Sequence, residues 1–314
     1  MRKVFLPRNI AELWSVMADE PAARIYAGGT DLLVAMRSGA VVAPALICLE
    51  RLPELQGVRE EGEEMWLGAA STHADLLANP LVGRHLPLLA QAIRTLGSPP
   101  IRNMGTIGGN VCTASPAGDT LPPLYALAAE VELQSTGSCR RLPVREFITG
   151  PGQTRLVTGE ILTGIRVRKP VEANCHRFEK IGQRRALACC IASLAALLTV
   201  TPAGVVTSAR LAWGSVGPTV MEVPAAEAAL TGAVMVLGFL YVKEKAHESE
   251  RIKEITRRFI ADFEKVYGTI MCEPIKEAHR HPEYKCTSVI LTSAELLEEL
   301  LRSDPPENVV LPRD

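Results

Sequence analysis

The most constraining feature of this sequence is a pair of glycine-bearing segments, AGGTDLL at residues 27–33 and IRNMGTIGGN at residues 101–110. Adjacent glycines permit positive φ angles and close backbone approach, so successive N–H groups can point into one concavity. Thr30, Thr106 and Asn110 add side-chain donors of the kind that bind a diphosphate. Asp119, which follows the second segment, can accept hydrogen bonds from a sugar or ribityl hydroxyl.

Each segment taken alone is also compatible with an ordinary turn, because a Gly-Gly pair after a strand usually only reverses the chain. Neither segment has the G-x-G-x-x-G pattern, so a nicotinamide-binding domain of the Rossmann type is not predicted. A phosphate-binding P-loop is not predicted either, because no Gly-Lys-Ser/Thr follows either segment.

Helix and strand signals alternate through the first half of the chain. Asn9 caps a predicted helix over residues 11–19, and further helices are predicted after Asp31 and at 73–78, 86–96 and 124–129. Strands are predicted at 24–27, 45–49, 65–69 and 131–133. Pro99-Pro100 is interpreted as a helix break, and residues 101–120 as a long irregular binding loop. Residues 190–200 and 205–213 predict an antiparallel hairpin, followed by a short helix at 224–230.

Composition excludes several classes of protein. The formal net charge is −1 and aromatic residues make up 4% of the chain, which argues against a nucleic-acid surface. The apolar runs are too short to cross a bilayer, and no secretory signal is visible, so no membrane span is expected. Eight cysteines without CxxC spacing predict reduced thiols, a cytoplasmic location and no metal site.

The last eighty residues have a different pattern, in which helix signals predominate. Five apolar residues at helical spacing form one stripe, namely Ile252, Ile255, Phe259, Phe263 and Val266, and Gly268 marks its end. Residues 292–295 form a capping box before a second predicted helix at 296–301. Residues 304–314 are interpreted as a tail.

The two glycine segments, in this order and followed by SPAGD at 115–119, resemble the FAD-binding (medium) subunit family of molybdenum hydroxylases of the xanthine dehydrogenase and carbon monoxide dehydrogenase type. GEILTGIRV at 159–167, RFEKIGQRRALACCIAS at 177–193 and LAWGSVGPT at 211–219 extend the resemblance to about residue 231. It implies an α+β fold of the vanillyl-alcohol-oxidase type, in which FAD lies between two subdomains.

The resemblance also implies a set of FAD-binding residues. Residues 25–32 would wrap the diphosphate, residues 106–110 would form the opposite wall, and Asp119 would hold the ribityl or ribose part. Leu96 would pack on the adenine side, while Leu162 and Lys180 would lie beside the isoalloxazine ring. A lysine there favours the reduced anionic flavin. The whole set is Ile25, Tyr26, Ala27, Gly28, Gly29, Thr30, Asp31, Leu32, Leu96, Thr106, Ile107, Gly108, Gly109, Asn110, Asp119, Leu162 and Lys180.

Each of these residue types has a simpler structural explanation. Leu96 and Leu162 by type are core residues, Lys180 a solvated lysine and Asp119 a helix cap. The resemblance implies no role for two further groups. His73 is interpreted as a first-turn helix residue, and Cys189-Cys190 as buried packing within an apolar strand.

The resemblance ends near Leu230. The following residues, including FEKVYGTIMC at 263–272, resemble the second half of small redox proteins named for a C-GCAxxG-C-C pattern, of which only Cys272 and Cys286 remain. The predicted domains are therefore 1–170 for FAD (two subdomains), 171–231 as a partial flavoprotein C-terminal subdomain, 232–303 as a helical segment, and 304–314. We infer a gene fusion. Glu222 stands near where the family usually has arginine, which predicts a lost ion pair.

Three functions follow from these observations. The leading one is an electron-transfer flavoprotein subunit, in which electrons pass from a molybdopterin-binding subunit through an iron–sulfur subunit to FAD and then to NAD or another acceptor. It needs no catalytic acid or base in this chain. The second is a truncated or fused flavin-binding or assembly protein without turnover. The third is a thiol-redox module that uses Cys272 and Cys286.

Overall fold

The computed structural model describes residues 2–184, 188–200, 206–222 and 250–268, together with Thr292, Glu295, Leu296, Glu299 and Ser303. The chain divides into two compact units. The first comprises Met1–Leu198 and Ala209–Glu222, and the second Thr199–Ser208 and Val223–Asp314. In the described part of the chain, no helix is both long and apolar enough to cross a membrane.

A small parallel sheet opens the first unit. Its strands β1 (Lys3–Phe5), β2 (Arg24–Tyr26) and β3 (Ala45–Cys48) lie in the order β1-β3-β2. Helices α1 (Ile10–Asp19) and α2 (Leu32–Arg37) connect them. The predicted cap is confirmed, because the Asn9 side chain accepts a hydrogen bond from the Glu12 amide at 2.8 Å. Apolar residues of α1 and β3 share one core with the 3-10 turn Pro53–Leu55.

A larger antiparallel sheet forms the centre of this unit. Its strands are β4 (Val58–Glu61), β5 (Glu64–Gly68), β6 (Glu130–Gln134), β7 (Cys139–Pro143) and β10 (Ile161–Arg168), in the order β4-β5-β10-β6-β7. A short helix α9 (Val144–Phe147) and the pair β8 (Ile148–Gly150) and β9 (Gln153–Thr154) lie between β7 and β10 along the chain.

Six helices connect β5 to β6. They are α3 (His73–Ala78), α4 (Pro80–His85), α5 (Pro87–Thr95), α6 (Pro99–Met104), α7 (Ile107–Thr113) and α8 (Leu121–Ala126). Their apolar faces join the central sheet in the main core. The prediction of an irregular loop over 101–120 is therefore wrong for much of its length. Pro99 and Pro100 begin α6, because proline is well tolerated in the first helical turn where its missing N–H costs no hydrogen bond.

A third sheet contains β11 (Cys175–Gly182), β12 (Cys190–Val200), β13 (Val206–Gly214) and β14 (Met221–Glu222) in that order. The two predicted hairpin strands are confirmed, while the turn between them lies outside the described residues. Beside β11, the Gln91 side chain of α5 takes the place of a neighbouring strand. It donates to the His176 carbonyl at 2.9 Å and accepts from the Phe178 amide at 2.9 Å.

Glu222 forms an ion pair of its own, because its carboxylate oxygen lies 3.5 Å from the Arg145 guanidinium. The partner comes from α9, which is distant in sequence, and the local pattern around residue 222 therefore gave no sign of it. The predicted loss of the pair that a family arginine would make stays a prediction.

The second unit contributes helix α10 (Glu250–Tyr267) to the described residues. Phe259 and Phe263 are buried as the apolar stripe predicts, but Val266 is 50% exposed, so the stripe ends one turn earlier than expected. Gly268 has a φ of 70° and terminates the helix. The side chains of Ile252 and Ile255, the predicted helix at 224–230, Cys272, Cys286, the capping box as a whole and the tail lie outside the described residues.

Candidate functional site

The two glycine segments meet. The first runs from the end of β2 to α2, and the second spans the end of α6 and the start of α7. A Cβ atom on Gly28 would lie 1.6 Å from the Met104 carbonyl oxygen, so only glycine allows this contact. A Cβ on Gly105 would lie 3.5 Å from the Thr30 hydroxyl oxygen. The predicted association of the two segments into one site is thus supported by their packing.

The first segment presents free backbone donors. Among the described residues, the N–H groups of Gly28, Gly29, Thr30 and Asp31 have no protein acceptor. Gly29 has a φ of 68°, the left-handed conformation that only glycine adopts readily. A run of free N–H groups around such a residue is a concave donor set suited to an anion.

The second segment differs from the expectation. The N–H groups of residues 107–110 are already used within the protein: Ile107 donates to the Ser71 carbonyl at 3.1 Å, and Gly108 donates to the Ala69 carbonyl at 2.9 Å. A Cβ on Gly108 would lie 2.6 Å from the Ala69 Cβ, so this glycine allows α7 to approach the chain after β5. The second segment therefore does not present the run of free amides that its adjacent glycines would permit.

Thr106 accounts for the next two amides. Its hydroxyl accepts from the Gly109 amide at 3.1 Å, and its carbonyl accepts from the Asn110 amide at 3.0 Å. Thr106 is thus the cap of α7, and this wall is a helix end held by internal hydrogen bonds. The Asn110 side-chain oxygen accepts from the buried Thr120 hydroxyl at 2.5 Å.

Asp119 and Lys180 form an ion pair that the sequence pattern did not predict. The Lys180 Nζ lies 2.6 Å from the Asp119 Oδ2, and the side chains are only 10% and 6% exposed. Asp119 Oδ1 is buried and has no hydrogen-bond partner among the described residues. Burial raises the pKa of Asp119, and Lys180 opposes that rise. The simpler interpretations are wrong: Lys180 is not a solvated lysine, and the Asp119 side chain does not cap α8.

The two proposed leucines are buried. Leu96 follows α5 and is 8% exposed, while Leu162 is 4% exposed and belongs to the main core. Leu162 pairs with Leu133 next to an irregularity in the β10–β6 register. Their predicted contacts with adenine and isoalloxazine stay predictions.

His73 and the cysteine pair are not among the predicted FAD-binding residues. His73 is the first residue of α3, as expected, and burial followed by the charge of Arg102 lowers its pKa to about 4. Cys190 is buried, but Cys189 is exposed, so the packing interpretation is wrong for Cys189. The described residues contain no cluster of His, Cys, Asp or Glu that could hold a metal ion.

Exposed apolar side chains on the two segments were missed. Leu33 is 44% exposed, Ile101 41% and Met104 50%. Large apolar residues beside glycines are a recognisable signal, because they favour apolar contact with a ligand once the backbone donors are nearby. The sequence predicts only a helix after Asp31 for Leu33 and an irregular loop for Ile101 and Met104.

Residues 1–170, more than half of the chain, match the model of the FAD binding domain in molybdopterin dehydrogenase. The chain belongs to this family. Its members include flavoprotein subunits of oxidoreductases of the xanthine and CO dehydrogenase type, and FAD is the cofactor of the matched domain. Residues 177–238 match the CO dehydrogenase flavoprotein C-terminal domain. Residues 228–300 match a model of redox-active proteins described by the pattern C_GCAxxG_C_C, and the two matches overlap at 228–238.

Individual proteins agree with the family. The nicotinate dehydrogenase FAD-subunit of Eubacterium barkeri is 32% identical over 74% of this chain and 80% of its own length. The carbon monoxide dehydrogenase medium chain of Hydrogenophaga pseudoflava is 28% identical over 89% of this chain and 90% of its own. A solved structure of reconstituted CO dehydrogenase from Oligotropha carboxidovorans superposes with a TM-score of 0.68 at 25% identity, covering 82% of this chain and 93% of that one.

Proposed function

We propose that this chain is the FAD-binding, electron-transfer subunit of a molybdenum hydroxylase. The observation that carries the proposal is the donor set at residues 28–31, which lies against the second glycine segment. Free amides of this kind suit a diphosphate, and the unpartnered Asp119 Oδ1 suits a ligand hydroxyl. The residues present therefore fit FAD.

The site residues divide by chemistry. Residues 25–32 would bind the diphosphate, with the helix end at 106–110 as the opposite wall. Asp119 would accept from a ribityl or ribose hydroxyl, and Leu96 would pack against adenine. Leu162 and Lys180 would lie on the isoalloxazine side, in a fold of the vanillyl-alcohol-oxidase type. Because the amides of residues 107–110 are already used, that wall would contribute shape and side chains.

When bound, FAD would supply the redox chemistry of this subunit, the transfer of electrons from the molybdenum centre to NAD or another acceptor. The protein contributes binding, orientation and electrostatics, and no acid or base in this chain is required. The relatives named as medium chains support partner subunits that carry the iron–sulfur clusters and the molybdopterin. All the described cysteines are free thiols, in keeping with a reducing cytoplasmic compartment.

The first test is the visible absorption spectrum of the purified protein before and after addition of FAD and gel filtration. Flavin bands that stay with the protein support the proposal. They should weaken in Gly109→Trp, because Gly109 is exposed at the second wall. Gly83→Trp is the matched control, since Gly83 is exposed in α4 with open space around it. A protein that never retains FAD would contradict the proposal and favour a truncated protein without turnover.

We also propose that the chain is a fusion of two proteins, with the junction near Leu230. The match of 228–300 to a different family supports a fusion there. Sequencing across the locus tests it, because two separate intact reading frames would exclude a fused chain.

A further inference from the structure

Asp119 and Lys180 come from parts of the chain that match different domain models. Asp119 lies in the segment between α7 and α8, within the FAD-binding match at 1–170. Lys180 lies on β11, within the C-terminal flavoprotein match at 177–238. Their ion pair therefore joins two residues with different proposed roles. Asp119 would bind a ribityl or ribose hydroxyl, and Lys180 would place a positive charge beside the isoalloxazine ring.

Both side chains of the ion pair are buried. Lys180 Nζ also lies 3.4 Å from the Thr95 carbonyl at the end of α5, so two acceptors fix the ammonium group. The other carboxylate oxygen of Asp119 has no hydrogen-bond partner in the described part of the chain. A buried ion pair contributes little net stability, because desolvation offsets its attraction. A role beyond stability accounts better for a pair placed at this point of the site.

We propose that Asp119 is a positioning residue for Lys180, holding its ammonium group and offsetting its charge, and thereby lowers the midpoint potential of the bound flavin. This inference rests on the proposed function. The reduced flavin is favoured by nearby positive charge. The Asp119 carboxylate lies 2.6 Å from the Lys180 ammonium group, so its negative charge reduces the stabilisation that Lys180 gives to the reduced flavin.

The test is a spectroelectrochemical titration of Asp119→Asn, Lys180→Met and the double variant, each loaded with FAD. Asp119→Asn keeps a hydrogen-bond acceptor and removes the negative charge. We expect it to favour reduced flavin about tenfold, which is about 30 mV for a two-electron couple. In the Lys180→Met background the same substitution should change little, because burial without the ammonium group favours the neutral acid form of Asp119.

Equal shifts in both backgrounds would overturn the proposal, because Asp119 would then act on the flavin independently of Lys180. No shift in either background would also overturn it. Glu60→Gln is the control: Glu60 pairs with Lys169 at the same N–O distance of 2.6 Å, although its carboxylate is exposed, and loss of this pair should leave the potential unchanged.

A second measurement needs no cofactor and separates failure of this inference from failure of the proposed function. In the FAD-free protein, acylation of lysines by acetic anhydride is followed by mass spectrometry. We expect Asp119→Asn to increase modification of Lys180 several-fold and to leave Lys169 unchanged. If the wild type retains no FAD, or Asp119→Asn loses it, this experiment decides: unchanged acylation of Lys180 overturns the positioning role, whereas an increase supports it.

Discussion

The Gly28 backbone is in direct contact with the Met104 carbonyl, since an added Cβ would lie 1.6 Å from that oxygen. This contact sets the spacing between the free amides of the first glycine segment and the helix-end wall of the second. Methyl-sized substituents at this point must displace backbone, because no flexible side chain stands in between.

Gly28→Ala should weaken FAD binding at least tenfold. The added methyl group would push the first glycine segment away from the second, and its amide donors would then move out of the narrow distance range of a hydrogen bond. Fluorescence titration of FAD into the cofactor-free protein measures the change. Gly83→Ala is the control, because no atom of the described residues lies within 4 Å of its added Cβ. It should leave FAD affinity unchanged and stabilise α4 by up to about 1 kcal/mol. Equal affinities in the two variants would contradict the spacing role of Gly28.

Thr106→Val should lower the free energy of unfolding by about 1 kcal/mol. It removes the hydroxyl that accepts from the Gly109 amide at 3.1 Å and so uncaps α7. Urea denaturation measures the loss. Thr106→Ser retains the acceptor and should remain within about 0.5 kcal/mol of the wild type. If serine were as damaging as valine, packing of the methyl group would be the cause and not the cap.

Gln91→Ala should cost about 1–3 kcal/mol, because it leaves the His176 carbonyl and the Phe178 amide at the edge of β11 without their partner. Hydrogen exchange of the Phe178 amide should accelerate, and denaturation should give the energy. Gln153→Ala on the exposed part of β9 is the control. An unchanged exchange rate at Phe178 would mean that β11 does not depend on Gln91.

The ion pair between Glu160 and Arg140 should make the free energy of unfolding depend on pH. The Arg140 guanidinium donates to both of its carboxylate oxygens at 2.8 Å, and the hydrogen bonds to Arg140 lower the pKa of Glu160. The stabilisation is therefore fully present above the unfolded-state pKa and is lost as the pH falls through the lower folded-state pKa. Glu160→Gln should cost about 1–2 kcal/mol at pH 7.

The difference in unfolding free energy between Glu160→Gln and wild type should shrink steadily below about pH 4.5, where the unfolded carboxyl becomes protonated. Denaturation at several pH values follows it. Glu146→Gln controls for a general effect of removing an acid, since Glu146 is exposed on α9. A difference that stays constant with pH would exclude the ionised pair as its origin.

Local signals predicted local structure well. The Asn9 cap and the helix predicted at 73–78 both correspond to observed elements, because helix caps and short helices depend mainly on neighbouring residues. The helices within 99–113 were missed. Their glycines, asparagines and threonines are poor helix formers, and tertiary contacts such as that between Gly108 and Ala69 override propensity.

The site was predictable in part. The meeting of the two glycine segments followed from a family resemblance, which contains information that composition and periodicity lack. The Asp119–Lys180 and Arg145–Glu222 pairs were not predictable from the chain, because each joins residues that only the folded topology brings together. The same holds for the amides of 107–110, whose acceptors lie on the chain after β5 or in Thr106.

The contrast between the two segments has a consequence for how the empty protein receives its cofactor. The wall at residues 107–110 is complete before any ligand arrives, since its hydrogen bonds are internal. Among the described residues, the amides of residues 28–31 have no protein acceptor, so the proposed cofactor would supply one. Cofactor binding should therefore order the first segment against a second segment that is already fixed. Amide hydrogen exchange should slow at residues 28–31 when FAD binds, while exchange at residues 107–110 should stay as slow as before.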